Sequence, residues 1–380
     1  MAAILIVIDG VTDTPQPCLG GRTPLEAADC PTLWAMARSG MTGSFSNVPK
    51  GYPVDSLTCI LTLLGYPAQA IPQGRAALEA LAAGVPVGEE DVVLRCNLVT
   101  FDGQGKLISP CGAGLTLPEQ GELCSRLAQK LTTASSQLFP MGGYKNLLVL
   151  RGHRKNLPGL VTYPPHERLG DSFGSLLPKG NLLSAELGAL IQNSITPAEG
   201  SGFHGLIPWG QAVCTTLPAF QSLHGCDGAM VCATEIVRGI GLDAQMETPK
   251  IAGATADVDT DLSAKADAAI RLARQFPVVV VHLNGADEAA HRRNPREKAE
   301  FLSRIDRELI APLAGAVPEG SRVLVTSDHA TLCETGEHRD LPQPFVLWEK
   351  GRSMGEKLGS CRGGTAVELL LCQEEKGRKQ

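Results

Sequence analysis

The sequence predicts an α/β fold in which a doubly wound, mostly parallel sheet is interrupted by a smaller inserted α+β domain. Short apolar runs rich in β-branched residues occur near both ends of the chain, and such runs are typical of buried parallel strands. Helical patterns lie between the runs, as in repeated strand–helix units. The middle of the chain has many Gly, Pro and turn signals instead, which indicates a second domain.

The elements of the sheet can be taken in chain order. The first strand is the apolar run Ala2–Ile8, and two later runs, Val278–Leu283 and Arg322–Thr326, resemble it in composition. Phe345–Trp348 is expected to add one more strand. Acidic residues and histidines follow the later pair of runs directly, which places polar chemistry at the strand ends.

Two helices have clear start or stop signals. Ser56 to Leu64 reads as a short apolar helix that ends at Gly65. A later helix is predicted to begin after Asn294, because Pro295 suits the first helical position and a glutamate follows at the third.

The chain has 380 residues, which is more than one hydrophobic core usually supports. Strand units with polar residues at their ends occur on both sides of the Gly- and Pro-rich middle. We therefore predict a discontinuous core domain formed by residues 1–83 and 224–380. Residues 84–223 are predicted to form an inserted domain that binds substrate or caps the site.

Composition excludes several classes of protein. The formal net charge is -6 and there is no long basic run, so a nucleic-acid groove is not expected. The 12 cysteines are scattered without a C-x-x-C pair, which favours buried thiols in a reducing cytoplasm. The N-terminal apolar run is short and lacks a basic flank, so neither a signal peptide nor a membrane span is expected.

Polar residues at the predicted strand ends suggest a metal site. Ligands of open α/β sheets bind beyond the carboxyl ends of the strands, so these residues should converge on one crevice. Carboxylates and imidazoles suit divalent cations, and there are enough of them for two ions. A bound ion would activate a serine hydroxyl as a nucleophile for phosphoryl transfer. The residues are Asp9, Ser56, Asp287, His291, Asp328, His329 and His338.

Four of these residues also have a simpler interpretation, whereas Asp328 and His329, directly after a buried strand, are less easily explained in another way. Asp9 could close a strand–helix turn, and Ser56 could be an ordinary helix N-cap. Asp287 and His291 could form a surface pair at helical spacing. The occurrence of all of them at strand ends in one chain favours the metal site.

Several motifs give the chain a family resemblance. It resembles the archaeal type of cofactor-independent phosphoglycerate mutases, members of the alkaline phosphatase superfamily, over most of its length. The motifs that carry the resemblance include Ile6–Gly10, Leu19–Ala28, Arg95–Asn97, Asp287–Ala289 and Thr326–His329.

The resemblance implies an alkaline phosphatase-like core and a cytoplasmic, glycolytic isomerase that interconverts 2- and 3-phosphoglycerate. The phosphoryl group would pass through a phosphoserine at Ser56, without 2,3-bisphosphoglycerate. The partner would be a small phosphorylated acid, and a homo-oligomer is compatible with the sequence. The resemblance also implies two divalent ions, with Mn²⁺ expected and Zn²⁺ or Mg²⁺ as alternatives.

The resemblance assigns residues to each role. One ion would be held by Asp9, Ser56, Asp328 and His329, and the other by Asp287, His291 and His338. The substrate would be bound by Arg75, Arg95, Arg151, His166 and Lys265, since guanidinium groups recognise carboxylate and phosphate well. Taken singly, each arginine could be a surface residue, and Lys265 also fits the outer face of a helix.

Three departures from the family pattern concern the substrate. Leu57 stands where the family usually has aspartate, Ile60 replaces a polar residue, and the stretch Asn193–Gly205 has no arginine. An alternative function is therefore a phosphatase, or a phosphotransferase acting on another small hydroxy compound such as homoserine. A non-catalytic binding protein is a third alternative, which the complete metal set disfavours.

Overall fold

The computed structural model describes residues 2–214 and 216–372. The chain forms two compact units. The first contains Met1–Ile71 and Leu217–Gln380, and the second contains Pro72–Thr216.

These limits differ from the predicted insert, 84–223, at both ends. The helix that spans residues 76–83 packs through Ala76 and Ala80 against Val93 of the second unit. At the other end, the backbone amide of Leu217 donates to Asp243 Oδ2 in the first unit at 3.0 Å. The packing of these short segments determines where each unit begins. The turn signals in the sequence, on which the predicted limits depended, contain no information about that packing.

The strands, in chain order, are β1 (Ala3–Ile8), β2 (Met41–Ser46), β3 (Val92–Phe101), β4 (Leu107–Ser109), β5 (Ser136–Gly142), β6 (Lys145–Leu150), β7 (Thr196–Pro197), β8 (Phe203–Val213), β9 (Gly228–Val231), β10 (Val278–Leu283), β11 (Arg322–Thr326), β12 (Ala330–Leu332), β13 (Glu337–Arg339), β14 (Gln343–Glu349) and β15 (Lys357–Arg362).

The α-helices are α1 (Pro24–Ala27), α2 (Pro31–Ser39), α3 (Ser56–Leu63), α4 (Ala76–Ala83), α5 (Leu117–Leu131), α6 (Leu182–Ser194), α7 (Phe220–His224), α8 (Glu235–Asp243), α9 (Leu262–Leu272), α10 (Gly285–His291), α11 (Pro295–Ile305), α12 (Ala311–Ala316) and α13 (Ala366–Leu371). A π-helical turn, Asp306–Ile310, joins α11 to α12. Short 3₁₀ turns are Pro17–Leu19, Ala68–Ala70, Arg154–Asn156, Pro165–Glu167, Phe173–Leu176, Glu199–Ser201 and Gly363–Thr365. Within the described residues, no helix is both long and apolar enough to cross a membrane.

The first unit is built on a seven-stranded sheet with the order β15-β2-β14-β11-β1-β10-β9. The four strands β11, β1, β10 and β9 are parallel, which confirms the predicted doubly wound, mostly parallel sheet. Every residue of β1 and β10 is buried, as expected for central strands covered on both faces. The last predicted strand is longer than expected and, as β14, runs antiparallel to β11.

The strand order determines which loops meet. β1 lies between β10 and β11, and the pairing runs to Ile8 opposite Leu283 on one side and Val7 opposite Thr326 on the other. The amide of Asp9 continues the ladder by donating to the carbonyl of Leu283 at 2.9 Å. The segments after all three strands therefore start at one edge of the sheet.

The predicted helix start after Asn294 is also present. The Asn294 side chain accepts a hydrogen bond from the amide of Glu297 at 3.2 Å, and Pro295 is the first residue of α11. The cap satisfies an amide that the first turn of the helix leaves unpaired.

The second unit has its own antiparallel sheet in the order β5-β6-β3-β8-β7, and β4 pairs with β3. One face of β3 packs its buried Val92, Leu94, Cys96 and Leu98 against α5 and α6, and the other face packs against α4. This confirms an α+β unit. Its two longest strands are β3, with 10 residues, and β8, with 11.

All the cysteines are free, but they are not uniformly buried as expected. Cys18, Cys111 and Cys372 are exposed, and Cys214, Cys226 and Cys361 are partly exposed. The remaining ones are in the cores, where a thiol packs as a small apolar group.

A buried ion pair joins α11 to the loop after β1. Lys298 Nζ lies 2.8 Å from Asp13 Oδ2, and both side chains are fully buried. Lys298 also donates to the carbonyl of Thr331 at 2.9 Å, and the amide of Cys333 donates to Asp13 at 3.2 Å. The pair therefore ties together three segments that surround the carboxyl edge of the sheet.

We expect Lys298→Met to destabilise the protein by about 3–5 kcal/mol, because Asp13 would remain as an unpaired buried charge. Urea unfolding followed by circular dichroism measures the loss. The control is Arg307→Met, since the Arg307 side chain is 68% exposed in its pair with Glu308 and should change stability by less than about 1 kcal/mol. Equal losses in the two variants would contradict the structural role given to the buried pair.

Candidate metal centre

The predicted metal-binding residues lie at the carboxyl edge of the first unit's sheet. Asp9 follows β1, and α10, which begins after β10, carries two of the others. The segment after β11 supplies an adjacent Asp–His pair, and the β12–β13 hairpin supplies one more histidine. The structure thus brings together residues from opposite ends of the chain, namely Asp9, Ser56, Asp287, His291, Asp328, His329 and His338.

The first cluster consists of Asp9, Asp328 and His329, all fully buried or nearly so. Each offers a ligand atom, and these atoms lie within 4.8 Å of one another. His329 Nε2 is 3.5 Å from Asp9 Oδ1 and 3.4 Å from Asp328 Oδ2. Two carboxylates and one imidazole therefore converge on a single point.

The second cluster is formed by Asp287, His291 and His338. His291 Nε2 lies 3.1 Å from Asp287 Oδ2, and His338 Nε2 lies 3.4 Å from Asp287 Oδ1. The Nδ1 atoms of the two histidines contact backbone carbonyls, at 2.7 Å to Gly336 and 3.0 Å to Val54. These contacts orient both Nε2 atoms towards the carboxylate, as partners of metal-binding histidines do.

His329 lies between the two clusters. Its ligand atom is also within 4.8 Å of those of Asp287 and His338, and its ring stacks on that of His338 at 4.0 Å. The clusters are therefore adjacent parts of one centre.

Ser56 reaches this centre from the start of α3. Its Oγ is 3.5 Å from His329 Nε2. The interpretation of Ser56 as the helix cap is wrong, because the cap is Asp55, whose carboxylate accepts from the amide of Thr58 at 2.8 Å. Since Asp55 caps the helix, the hydroxyl of Ser56 is directed to the centre instead.

The electrostatics of the first cluster favour a cation. Both oxygens of Asp9 and Oδ2 of Asp328 are buried, and within the described residues they have no hydrogen-bond partner. Burial, together with the carboxylates of Asp328 and Asp287, raises the pKa of Asp9 well above its usual value. Because buried carboxylates without partners are costly, this donor set fits a divalent cation.

The surroundings of His291 and His329 shift the pKa values of the two side chains in opposite directions. The hydrogen bond to Asp287 raises the pKa of His291 to about 9, whereas burial lowers the pKa of His329. A metal ligand must be a neutral imidazole, so cation binding at His291 would release a proton.

Three residues outside the predicted ligand set also support the centre, and sequence reasoning missed two of them, Thr331 and Asn47. The Thr331 hydroxyl donates to Asp287 Oδ1 at 2.5 Å. Asn47 Nδ2 donates to the carbonyls of Ser327 at 3.0 Å and Asp328 at 2.7 Å. Gly10 has φ of +70°, and a Cβ there would lie 2.8 Å from Thr331 Oγ1. Only Gly10 had a sequence signal, its position next to Asp9.

A fourth supporting residue, which sequence reasoning also missed, is His282, the fifth residue of β10. It is buried, and its Nε2 lies 3.4 Å from Asp9 Oδ2. Burial lowers the pKa of His282 to about 4, so the ring is neutral. The signal in the sequence was a single histidine inside an otherwise apolar strand.

Three of the residues predicted to bind substrate lie together in the second unit. Arg75 Nε and Arg95 Nε share the carboxylate of Glu79, at 2.7 and 3.1 Å. The Arg95 guanidinium also lies 4.3 Å from the centre of the Trp209 ring, and His166 meets the same ring edge-on at 5.1 Å. This group, the Glu79–Trp209 cluster, presents cationic and aromatic side chains side by side.

The other two predicted substrate residues have separate surroundings. Arg151 Nη1 donates to Asp91 Oδ2 at 2.7 Å and to the carbonyl of Pro86 at 2.9 Å, within the second unit. Lys265 lies in the first unit, fully buried, so the alternative that it occupies the outer face of a helix is wrong. Its Nζ donates to the carbonyl of Thr255 at 3.4 Å, and burial lowers its pKa to about 8.

Comparisons with known proteins give a consistent result. A family model described as 2,3-bisphosphoglycerate-independent phosphoglycerate mutase matches residues 37–197. A Geobacter sulfurreducens protein described as "Probable 2,3-bisphosphoglycerate-independent phosphoglycerate mutase" is 34% identical over 92% of this chain and 90% of its own length. The 2,3-bisphosphoglycerate-independent phosphoglycerate mutase of Methanothrix thermoacetophila is 30% identical over 92% of this chain and 91% of its own.

Solved structures agree on the fold. A protein from Pyrococcus horikoshii has a TM-score of 0.80 and 24% identity, and the match covers 99% of this chain and 100% of that one. The cofactor-independent phosphoglycerate mutase from Thermoplasma acidophilum has a TM-score of 0.59 and 20% identity, over 98% of this chain and 99% of its own. The fold is thus shared over the full length of both.

Proposed function

This chain belongs to the family of 2,3-bisphosphoglycerate-independent phosphoglycerate mutases, and from that premise we propose that it interconverts 2- and 3-phosphoglycerate through a phosphoserine at Ser56. The observation that supports this most directly is the Ser56 hydroxyl, 3.5 Å from His329 Nε2 at the edge of the centre. The reaction would be the cytoplasmic, glycolytic isomerisation that the sequence predicted.

The proposed cofactors are two divalent ions, Mn²⁺ in the first instance and Zn²⁺ or Mg²⁺ as alternatives, with no need for 2,3-bisphosphoglycerate. Asp9, Ser56, Asp328 and His329 would hold one, and Asp287, His291 and His338 the other. When bound, such ions neutralise phosphoryl charge and lower the pKa of a serine hydroxyl.

The chain's own residues account for the remaining steps. Ser56 Oγ gives up its proton and attacks phosphorus, the bond from phosphorus to the glycerate oxygen breaks, and that oxygen takes up a proton. Ser56 then carries the phosphoryl group. Asp55 fixes the first turn of α3, whose amides favour negative charge at the phosphoserine. The glycerate then turns, and its other hydroxyl gives up its proton and attacks the phosphoserine. The bond from phosphorus to Ser56 Oγ breaks, and Oγ takes up a proton again. Water has to be excluded in the interval, because hydrolysis of the phosphoserine would release phosphate.

We also propose that the second unit binds substrate. Its Glu79–Trp209 cluster offers Arg75, Arg95 and His166, whose planar and cationic groups suit a carboxylate or phosphate. Arg151 and Lys265 complete the proposed set. Lys265 is the strongest single candidate among them, since its buried ammonium makes one hydrogen bond, of 3.4 Å, within the described residues, and a buried charge needs more compensation than that.

The alternative, a phosphatase, has specific support. Leu57 and Ile60 are 5% and 1% exposed, so their side chains pack in the core and do not replace polar substrate contacts. The stretch Asn193–Gly205 contains no arginine. Losing one charge-assisted hydrogen bond weakens substrate binding by about 1.5–3 kcal/mol. A loosely held glycerate would dissociate, and water would then hydrolyse the phosphoserine.

We therefore expect slow mutase activity accompanied by release of phosphate. With Mn²⁺ present, phosphorus NMR should show 3-phosphoglycerate converting to 2-phosphoglycerate. The rate should be roughly tenfold to a hundredfold lower than it would be with the missing charge-assisted hydrogen bond to the substrate in place. Inorganic phosphate should accumulate in parallel.

The same experiment separates the alternatives. Inorganic phosphate without any 2-phosphoglycerate would move the assignment to a phosphatase. No reaction, in a protein shown to bind the ions, would indicate a phosphotransferase with another small hydroxy substrate. Arg95→Met should slow the reaction of 3-phosphoglycerate if the Glu79–Trp209 cluster binds substrate. Arg168→Met is the control and should not slow it, because the Arg168 side chain is 43% exposed and pairs with Asp171 at 3.4 Å.

A further inference from the structure

His282 is a buried histidine without a role in the phosphoryl transfer proposed above. Its side chain is 1% exposed. Within the part of the chain that the structure describes, neither Nδ1 nor Nε2 has a hydrogen-bond partner. Because a buried polar group without a partner is costly, a histidine in the middle of an apolar strand calls for a compensating interaction.

The nearest charged group to the ring is Asp9. His282 Nε2 lies 3.4 Å from Asp9 Oδ2, while Asp9 Oδ1 faces His329 Nε2 at 3.5 Å. The two oxygens of Asp9 therefore face different neighbours. Oδ1 faces a predicted metal ligand, and Oδ2 faces His282.

The strand pairing sets this arrangement. His282 pairs with Val7 in the ladder between β10 and β1, and Asp9 follows β1 directly. The separation between the imidazole and the carboxylate is thus determined by a buried parallel ladder and not by a loop. Such a support holds a side chain more accurately than a loop does.

The other two carboxylates of the centre each have one oxygen held by the protein. Asp287 Oδ1 accepts from the Thr331 hydroxyl at 2.5 Å. Asp328 Oδ1 accepts from the amides of Gly10 at 3.3 Å and His329 at 2.9 Å. For Asp9, among the described residues, His282 is the group placed to do the same.

We propose that His282 is a positioning residue that donates its Nε2–H to Asp9 Oδ2, so that Asp9 presents Oδ1 to the cation held with Asp328 and His329. At 3.4 Å the contact is a few tenths of an ångström longer than a good hydrogen bond, and the two groups are not aligned as one requires. Forming the bond therefore requires the two side chains to approach each other and realign. The inference rests on the proposed metal-dependent function. Partners that orient a metal ligand typically change metal affinity by about 10–100-fold.

The test is Mn²⁺ binding to the apoprotein without substrate, followed by the electron paramagnetic resonance signal of free Mn²⁺. His282→Leu keeps the apolar packing and removes the donor, so it should weaken the Asp9 site by about 10–100-fold. His282→Gln places an N–H near the position of Nε2 and should bind Mn²⁺ more tightly than the leucine variant. His282→Asn is one methylene shorter, cannot reach Asp9, and should bind as weakly as the leucine variant.

Val280→Ala is the matched control, because Val280 is buried on the same face of β10, two residues earlier. It should lower stability with little change in Mn²⁺ affinity of the folded protein. Unchanged affinity in His282→Leu would overturn the proposal, and so would equal affinities in the Gln and Asn variants. If the leucine variant does not fold, the Gln–Asn comparison decides alone. Since no substrate is present, the Mn²⁺-binding result does not depend on whether the wild-type protein is a mutase.

Discussion

Ser56→Ala should abolish both the covalent phosphoryl adduct and turnover. Alanine leaves no nucleophile at the first position of α3, so we expect a loss of at least about 10³-fold in rate. Rapid quench of the wild-type protein with substrate, followed by intact-protein mass spectrometry, should show one phosphoryl adduct that maps to Ser56. Binding of Mn²⁺ should largely survive in the variant, because the carboxylates and imidazoles of both clusters remain.

The control for this variant is Ser46→Ala, an exposed serine at the end of β2, which should keep the adduct and the activity. If Ser56→Ala retained the wild-type rate, the phosphoserine mechanism would be wrong. Loss of activity together with an intact adduct at another residue would assign the nucleophile elsewhere.

Removal of divalent ions is the second change with a large expected effect. Within the described residues, both oxygens of Asp9 and Oδ2 of Asp328 have no hydrogen-bond partner. They leave a buried negative centre that needs a cation, so EDTA should abolish turnover and Mn²⁺ should restore it. Elemental analysis of protein purified without chelator should find Mn²⁺, Zn²⁺ or a similar ion. Because the ion binds the folded state only, adding Mn²⁺ should also raise the melting temperature.

Asp328→Asn provides a matched variant for the metal experiment. The amide keeps nearly the same shape and removes one negative charge, so the melting temperature should respond less to added Mn²⁺ than in the wild type. Full activity in EDTA, with no ion detected in the protein, would refute the metal centre. If added Mn²⁺ raised the melting temperature of both proteins equally, Asp328 would not be a ligand of the metal centre.

The strands next to the centre were predictable because buried parallel strands are continuous apolar runs. Val278–Leu283 and Arg322–Thr326 have the same bounds in the sequence prediction and in the structure. The ligand residues could be predicted for a related reason, since parallel strands end at one edge and Asp9, Asp287 and Asp328 follow them closely.

The second unit was less predictable. β8 has a largely buried pattern, but Gly and Pro residues interrupt the apolar periodicity on which the strand prediction depends. Its helix α4 is short and rich in alanine, so its sequence is compatible with either unit. Contacts with Val93 assign it to the second, and only the folded chain contains them.

By itself, then, the sequence determined four of the seven strands of the sheet, the polar residues that follow three of them and the family. Only the tertiary structure decided how those residues are supported. The pairing of Lys298 with Asp13 spans 285 positions, and the contact of His282 with Asp9 depends on the register between β10 and β1. Which side chain lies beside which depends on strand order and register, because residues distant in the chain become neighbours only when the sheet forms.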